Sequence, residues 1–141
     1  PLYGAGGDSL GLLQVPPLDL GQVEVIKGAA SALYGSGALG GVINLVSRRA
    51  VEPQIETLLN VTSLGGGDAT LWLARAPVRG WSWTLLSGLH GQSRRDLDED
   101  GWTDVAGYQR GVVRPRVFYE SGRGASMFLT AGVIAEDREA G

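Results

Sequence analysis

Trp81–Gln92 reads WSWTLLSGLHGQ, and its side chains sort by parity. Trp81, Trp83, Leu85 and Leu89 fall on one side of an extended chain, and Ser82, Thr84, Gly88, His90 and Gln92 fall on the other. A period of two marks a strand whose two faces meet different surroundings. The run is also long, well beyond the roughly 5–6 residues of an average soluble strand.

The same grammar recurs on both sides of it. Upstream, alternating runs cover 54–64 and 69–76, separated by Gly65-Gly66-Gly67-Asp68 and closed by Pro77–Gly80. Downstream, a polar loop (93–107) leads to a run over 108–120. That run sets Val113, Pro115, Val117 and Tyr119 on one face and Arg114 and Arg116 on the other. After Ser121–Gly124, a fifth run over 125–135 aligns Met127, Leu129, Ala131 and Val133. The pattern predicts five antiparallel strands in a meander, with at least four reaching the roughly 9–11 residues that cross a membrane's hydrocarbon. Short turns against a long polar loop match the short periplasmic turns and longer external loops of outer-membrane barrels. Two architectures fit: an incomplete membrane β-barrel with a polar lumen, or a soluble β-sandwich. Arg114 and Arg116 would be costly in a sandwich core unless paired but ordinary in a lumen. In a sandwich they can also face water, so strand pattern alone leaves both open.

Composition narrows the classes. Glycine supplies 23 of 141 residues, far above the usual ~7%, which favours many chain reversals over a helical bundle. There is no cysteine, hence no disulfide framework and no thiolate metal site. Lys27 is the single lysine, and a net charge of -3 gives no footprint for nucleic acid. No run approaches the ~18 apolar residues of a spanning helix, so any membrane crossing must use strands. With one histidine and carboxylates gathered in a single loop, no catalytic constellation can be assembled, and no enzyme activity is expected. Pro1 and Gly141 both read as internal positions of a longer chain.

Residues 1–49 follow different rules, reading as mixed α/β. Val23–Lys27 (VEVIK) and Val42–Ser47 (VINLVS) read as strands, and Ser31–Tyr34 as one helical turn ending at Gly35. Gly35, Gly37 and Gly40 spell G-x-G-x-x-G, the dinucleotide fingerprint. That fingerprint needs a strand before it and a helix after it to seat a pyrophosphate. Here an apolar β-branched run follows instead, and no acidic residue stands about 20 positions on within a βαβ unit. A soluble dinucleotide-binding protein is therefore the weaker reading of GSGALG.

The stretch from Val23 to Arg49, VEVIKGAASALYGSGALGGVINLVSRR, closely resembles the C-terminal signature of the plug domain of TonB-dependent outer-membrane receptors. Lys27-Gly28 stands where that family commonly has Arg-Gly, and Ala29 where it often has Pro. Leu13–Pro17 resembles the approach to this strand. The resemblance implies a fold in two parts: the end of an α/β plug over 1–49, a linker at 50–53, and the first strands of an outer-membrane β-barrel over 54–141. It also implies TonB-dependent active uptake of a ferric siderophore or, alternatively, of a cobalamin or another nutrient. The TonB-contacting segment and a signal peptide would precede Pro1. Implied partners are TonB, the iron chelate and outer-membrane lipid, with no nucleic acid. A third reading, a structural or adhesive β-protein, would lack the plug.

Candidate residues follow. Gly28, Tyr34, Gly35, Gly37, Gly40 and Gly41 are expected to be a plug scaffold, the glycines permitting positive φ and close backbone approach. By position, Tyr3, Asp8 and Ser9 correspond to an apical plug loop that would touch ligand. Asp96, Asp98, Asp100 and Asp104 repeat the spacing that opens a Ca²⁺ loop, although Gly107 stands where its bidentate Glu belongs. They are candidate calcium ligands, against the alternative of a solvated loop tip. No cofactor intrinsic to the protein is expected. Arg94 and Arg95 are candidates for an anionic chelate, against the alternative that they neutralise the neighbouring acids and pair with outer-leaflet phosphates. His90, on the polar side of its strand, is expected to be a hydrogen-bonded lumen residue.

Overall fold

The computed structural model describes residues 17–27, 41–98, 101 and 103–139. Cα packing divides the chain into Pro1–Arg49 and Ala50–Gly141.

In the first unit a 3₁₀ turn, Pro17–Asp19, leads into β1 (Leu20–Lys27), which pairs antiparallel with β2 (Gly41–Ser47). The register sets Lys27 opposite Gly41, so segment 28–40 leaves and re-enters at directly paired strand ends. The helical turn expected over 31–34 lies outside the described residues. The dinucleotide reading fails on topology: a strand, not a helix, follows the glycine motif, and it runs antiparallel to its neighbour. Asp19 is buried; its carbonyl accepts the Arg48 amide (2.9 Å) while the Arg48 guanidinium donates to the Leu18 carbonyl (3.2 Å). Glu24 accepts from Asn44 across the pair (2.8 Å).

The second unit is one antiparallel meander of six strands: β3 (Gln54–Val61), β4 (Gly66–Val78), β5 (Trp81–Gln92), β6 (Gly107–Glu120), β7 (Ser126–Thr130) and β8 (Val133–Glu139). The sheet stays open, with β3 at one edge and β7 and β8 both paired to β6 at the other. β4, β5 and β6 have 13, 12 and 14 residues, enough to cross a bilayer when tilted. The other runs are shorter than expected, for two local reasons.

The first is turn chemistry. The sequence predicts a strand to 64 and a reversal at Gly65–Asp68, but the chain turns at Thr62–Gly65. There the Thr62 amide donates to the Gly66 carbonyl (2.8 Å) and the Thr62 hydroxyl accepts the Gly66 amide (3.0 Å). Gly65 takes a positive φ of 84°, and Gly66–Asp68 join β4. Ser121–Gly124 repeats the device: Ser121 bonds the Ala125 carbonyl, its hydroxyl accepts the Ala125 amide (3.0 Å), and Gly124 has φ 87°. The second reason is Pro115. The fifth expected strand is split at Ala131–Gly132, yet β7 and β8 keep one register against β6. Ala131 donates to the Pro115 carbonyl (3.2 Å), but proline has no N–H to return, so the ladder lapses there.

Parity holds across the sheet. The even-numbered face carries the most enclosed side chains, Trp72 and Leu86 (each 1% exposed), with Thr70, Thr84 and Val112. The odd-numbered face is apolar and open. Successive cross-strand rows read Leu59–Ala69–Leu89–Gly111–Ala135, Thr57–Leu71–Ser87–Val113–Val133 and Ile55–Leu73–Leu85–Pro115, and the next, Arg75–Trp83–Val117–Leu129, adds a cation beside the aromatic edge. Ile55, Leu59 and Leu89 are 77%, 74% and 68% exposed. A soluble fold would have to cover such a band. Trp81 and Tyr119 close its lower end, their rings 4.8 Å apart and tilted by 41°. An apolar belt bounded by aromatics is the lipid-facing surface of a transmembrane barrel.

Candidate functional site: a polar row across the inward face

The even-numbered face carries charge where the odd one carries hydrocarbon. Asn60, Asp68, His90, Arg110 and Glu136 are direct register partners on β3, β4, β5, β6 and β8. They form one transverse line across the sheet. The Asn60 amide donates to Asp68 (2.9 Å), and the other Asp68 oxygen meets His90 Nδ1 at 2.8 Å. Arg110 Nε donates to Glu136 (2.6 Å), and Arg138 donates to the second oxygen of the same carboxylate. The Arg110 guanidinium also lies over the Tyr108 ring at 5.3 Å. Opposite charges in register on one face attract, and a carboxylate held between two guanidinium groups has its oxygens satisfied. His90 and Arg110 are 17% and 14% exposed at the side chain, so the row is partly sheltered from water.

Sequence reading found only His90 in this row, as a hydrogen-bonded lumen residue. The other members were hidden because alternation gives a face but not a height; pairing Asp68 with His90 requires the turn lengths. The Arg110–Glu136 pair is expected to couple by about 1 kcal/mol. A double-mutant cycle with Arg110→Gln and Glu136→Gln, read by urea unfolding of the full-length protein, measures it. Additive losses would mean that the two side chains merely lie side by side.

The long loop sits at the same end as the Thr62–Gly65 turn. Its base is a single bridge in which Arg95 and Val105 exchange both backbone hydrogen bonds at 3.0 Å. Asp96, Asp98 and Asp104 converge, with one carboxylate oxygen from each within 4.8 Å of the others. Asp100 lies outside the described residues. Asp96 and Asp104 also fasten the loop: Asp96 accepts the Gly101 amide (3.0 Å) and Asp104 the Leu97 amide (2.8 Å). Arg94 borders an open groove of about 570 Å³ with Gln92, Tyr108 and Asp137. Tyr3, Asp8, Ser9, Gly28, Tyr34, Gly35, Gly37 and Gly40 lie outside the described residues, while Gly41 opens β2.

Comparison with known proteins agrees with this architecture. Residues 1–42 match the family model of the TonB-dependent Receptor Plug Domain. The iron-regulated outer membrane virulence protein of Vibrio cholerae is 31% identical over 135 residues, which is 89% of this chain and 20% of that protein. The ferrioxamine receptor of Yersinia enterocolitica is 49% identical over 130 residues (90% and 17%). The vitamin B12 transporter BtuB of Photobacterium profundum is 30% identical over 127 residues (87% and 17%). The chain thus spans about a fifth of the length of the curated relatives it matches. No solved structure matches it. Plug signature, open antiparallel sheet with an apolar outer belt, and relatives aligned across both units give one answer: the chain belongs to the TonB-dependent receptors of the outer membrane, spanning the end of the plug and the first barrel strands.

Proposed function

We propose that the whole protein takes up a ferric siderophore across the outer membrane, driven by TonB. The observation that carries this reading is the contrast between the two faces of the meander. An apolar outer belt suits hydrocarbon, and an inward row of paired charges suits a watered lumen that a plug can fill and a polar chelate can pass. The siderophore class rests on the names of the iron-regulated and ferrioxamine relatives. The B12 transporter among the relatives supports cobalamin as the second reading. Both are transport readings and assign no catalytic chemistry to the chain.

On this reading Tyr3, Asp8 and Ser9 of the plug, with Arg94 and Arg95 at the loop end, contact the chelate, and Asp96, Asp98, Asp100 and Asp104 are the acids open to Ca²⁺. Gly28 to Gly41 serve as plug scaffold. The units are taken as plug 1–49, linker 50–53 and barrel from 54 onward. The test expresses the full-length gene in a bacterium stripped of its own siderophore and cobalamin receptors. Uptake of radiolabelled iron as ferrioxamine, abolished by deleting the host TonB, is the expected result. Uptake of cyanocobalamin alone would move the assignment to the second reading, and TonB-independent entry of either would overturn the transport mechanism.

A further inference from the structure

The short-turn end of the meander carries three arginines that behave unlike those of the inward face. Arg75 lies on the odd-numbered, lipid-facing side, directly opposite Trp83 in register. Arg79 occupies the two-residue turn between β4 and β5, with φ 52°, and Arg123 sits in the turn between β6 and β7. The two turns are neighbours, because the Glu120 amide donates to the Gly80 carbonyl at 2.9 Å. All three arginines are exposed, and none has a hydrogen bond or ion pair with any described residue. Inward Arg110, by contrast, is committed to Glu136, and Arg114 and Arg116 also have partners.

The surroundings of the three are those of a membrane interface. Trp81 and Trp83 are 48% and 40% exposed, and Trp81 packs on Tyr119. Their amphipathic rings belong at headgroup depth. The strand acids at this end, Glu56 and Glu120, fall on even positions, so no outward strand position among the described residues at this end offers a carboxylate to Arg75. The long acidic loop lies at the opposite end, which makes the short-turn end periplasmic. Phosphodiester headgroups of the inner leaflet are the anions at that depth, and a guanidinium fork matches phosphate oxygens in pairs.

We infer that Arg75, Arg79 and Arg123, flanked by Trp81, Trp83 and Tyr119, form a binding site for anionic phospholipid of the inner leaflet. The site holds phosphatidylglycerol in preference to zwitterionic lipid and fixes the height of the barrel rim. It does not depend on which chelate the receptor carries. To test it, the full-length receptor in mild detergent is equilibrated with an equimolar mixture of phosphatidylglycerol and phosphatidylcholine, and the retained lipid is counted by native mass spectrometry. An excess of phosphatidylglycerol of about tenfold is expected, falling to near parity in Arg75→Gln/Arg79→Gln/Arg123→Gln and to an intermediate value when the same positions carry lysine, which keeps the charge and loses the fork. If the triple variant does not fold, Arg79→Gln/Arg123→Gln, with both changes in turns outside the ladder, supplies the comparison. Equal retention of the two lipids by the native receptor would overturn the site. So would an unaltered preference in the glutamine variant, or an equal loss in Arg94→Gln/Arg95→Gln at the other rim. The measurement involves no transport, so its outcome and that of the uptake test are independent.

Discussion

Ile55→Arg is expected to destabilise the folded receptor by about 2 kcal/mol, while Leu58→Arg, three residues along the same strand, costs less than about 1 kcal/mol. Hydropathy does not distinguish these positions. Ile55 stands in the row Ile55–Leu73–Leu85–Pro115, midway between the Leu59–Leu89 row and the aromatic edge at Trp81 and Tyr119. That is one cross-strand row inside Arg75 and Trp83, within the belt where a guanidinium meets hydrocarbon. Leu58 belongs to the opposite face, between Glu56 and Asn60, where a charge meets polar neighbours and lumen water. Urea unfolding of the two full-length variants in lipid vesicles, followed by tryptophan fluorescence, measures the difference. Equal losses would mean that the odd-numbered face does not meet hydrocarbon, and the barrel assignment of this unit would fail with it.

Gly80→Val is expected to cost about 3 kcal/mol or more, against less than about 0.5 kcal/mol for Gly122→Val. Two independent causes act at Gly80. Its φ is 84°, where a β-branched residue is strained, and a Cβ there would stand 2.4 Å from the Glu120 carbonyl oxygen. That oxygen is backbone, on a residue paired with Ser126 of β7 and tied to Gly80 through its own amide, and cannot swing away as a side-chain tip would. Gly122 has nothing within 4 Å of its would-be Cβ, and its φ is not in the left-handed region. The yield of heat-modifiable, folded receptor on gels, combined with urea midpoints, reads both. A tolerated Gly80→Val would show that the Arg79-Gly80 turn is not fixed by its neighbour.

The plug signature and the two-faced strands were legible in the residues because each is local. Alternation over Trp81–Gln92 assigns every side chain to a face without knowing its partners, and the structure keeps those faces. The arginines of β6 were likewise separable from its valines. The order of strand, glycine-rich segment and strand around residues 28–40 needed no tertiary information either.

Height along the barrel wall was another matter. Register accumulates over every turn, and the threonine hydroxyl at Thr62 captured the reversal three residues before the glycine cluster that looked like the obvious turn. Pro115 opened a gap in a partner strand distant in sequence, an effect no inspection of residues 125–135 could show. The sequence by itself determined which side chains share a face, since strand parity is a property of one chain segment. Only the tertiary structure decided that Asn60, Asp68, His90, Arg110 and Glu136 share one level, because cross-strand neighbours are chosen by the hydrogen bonds of turns and ladders.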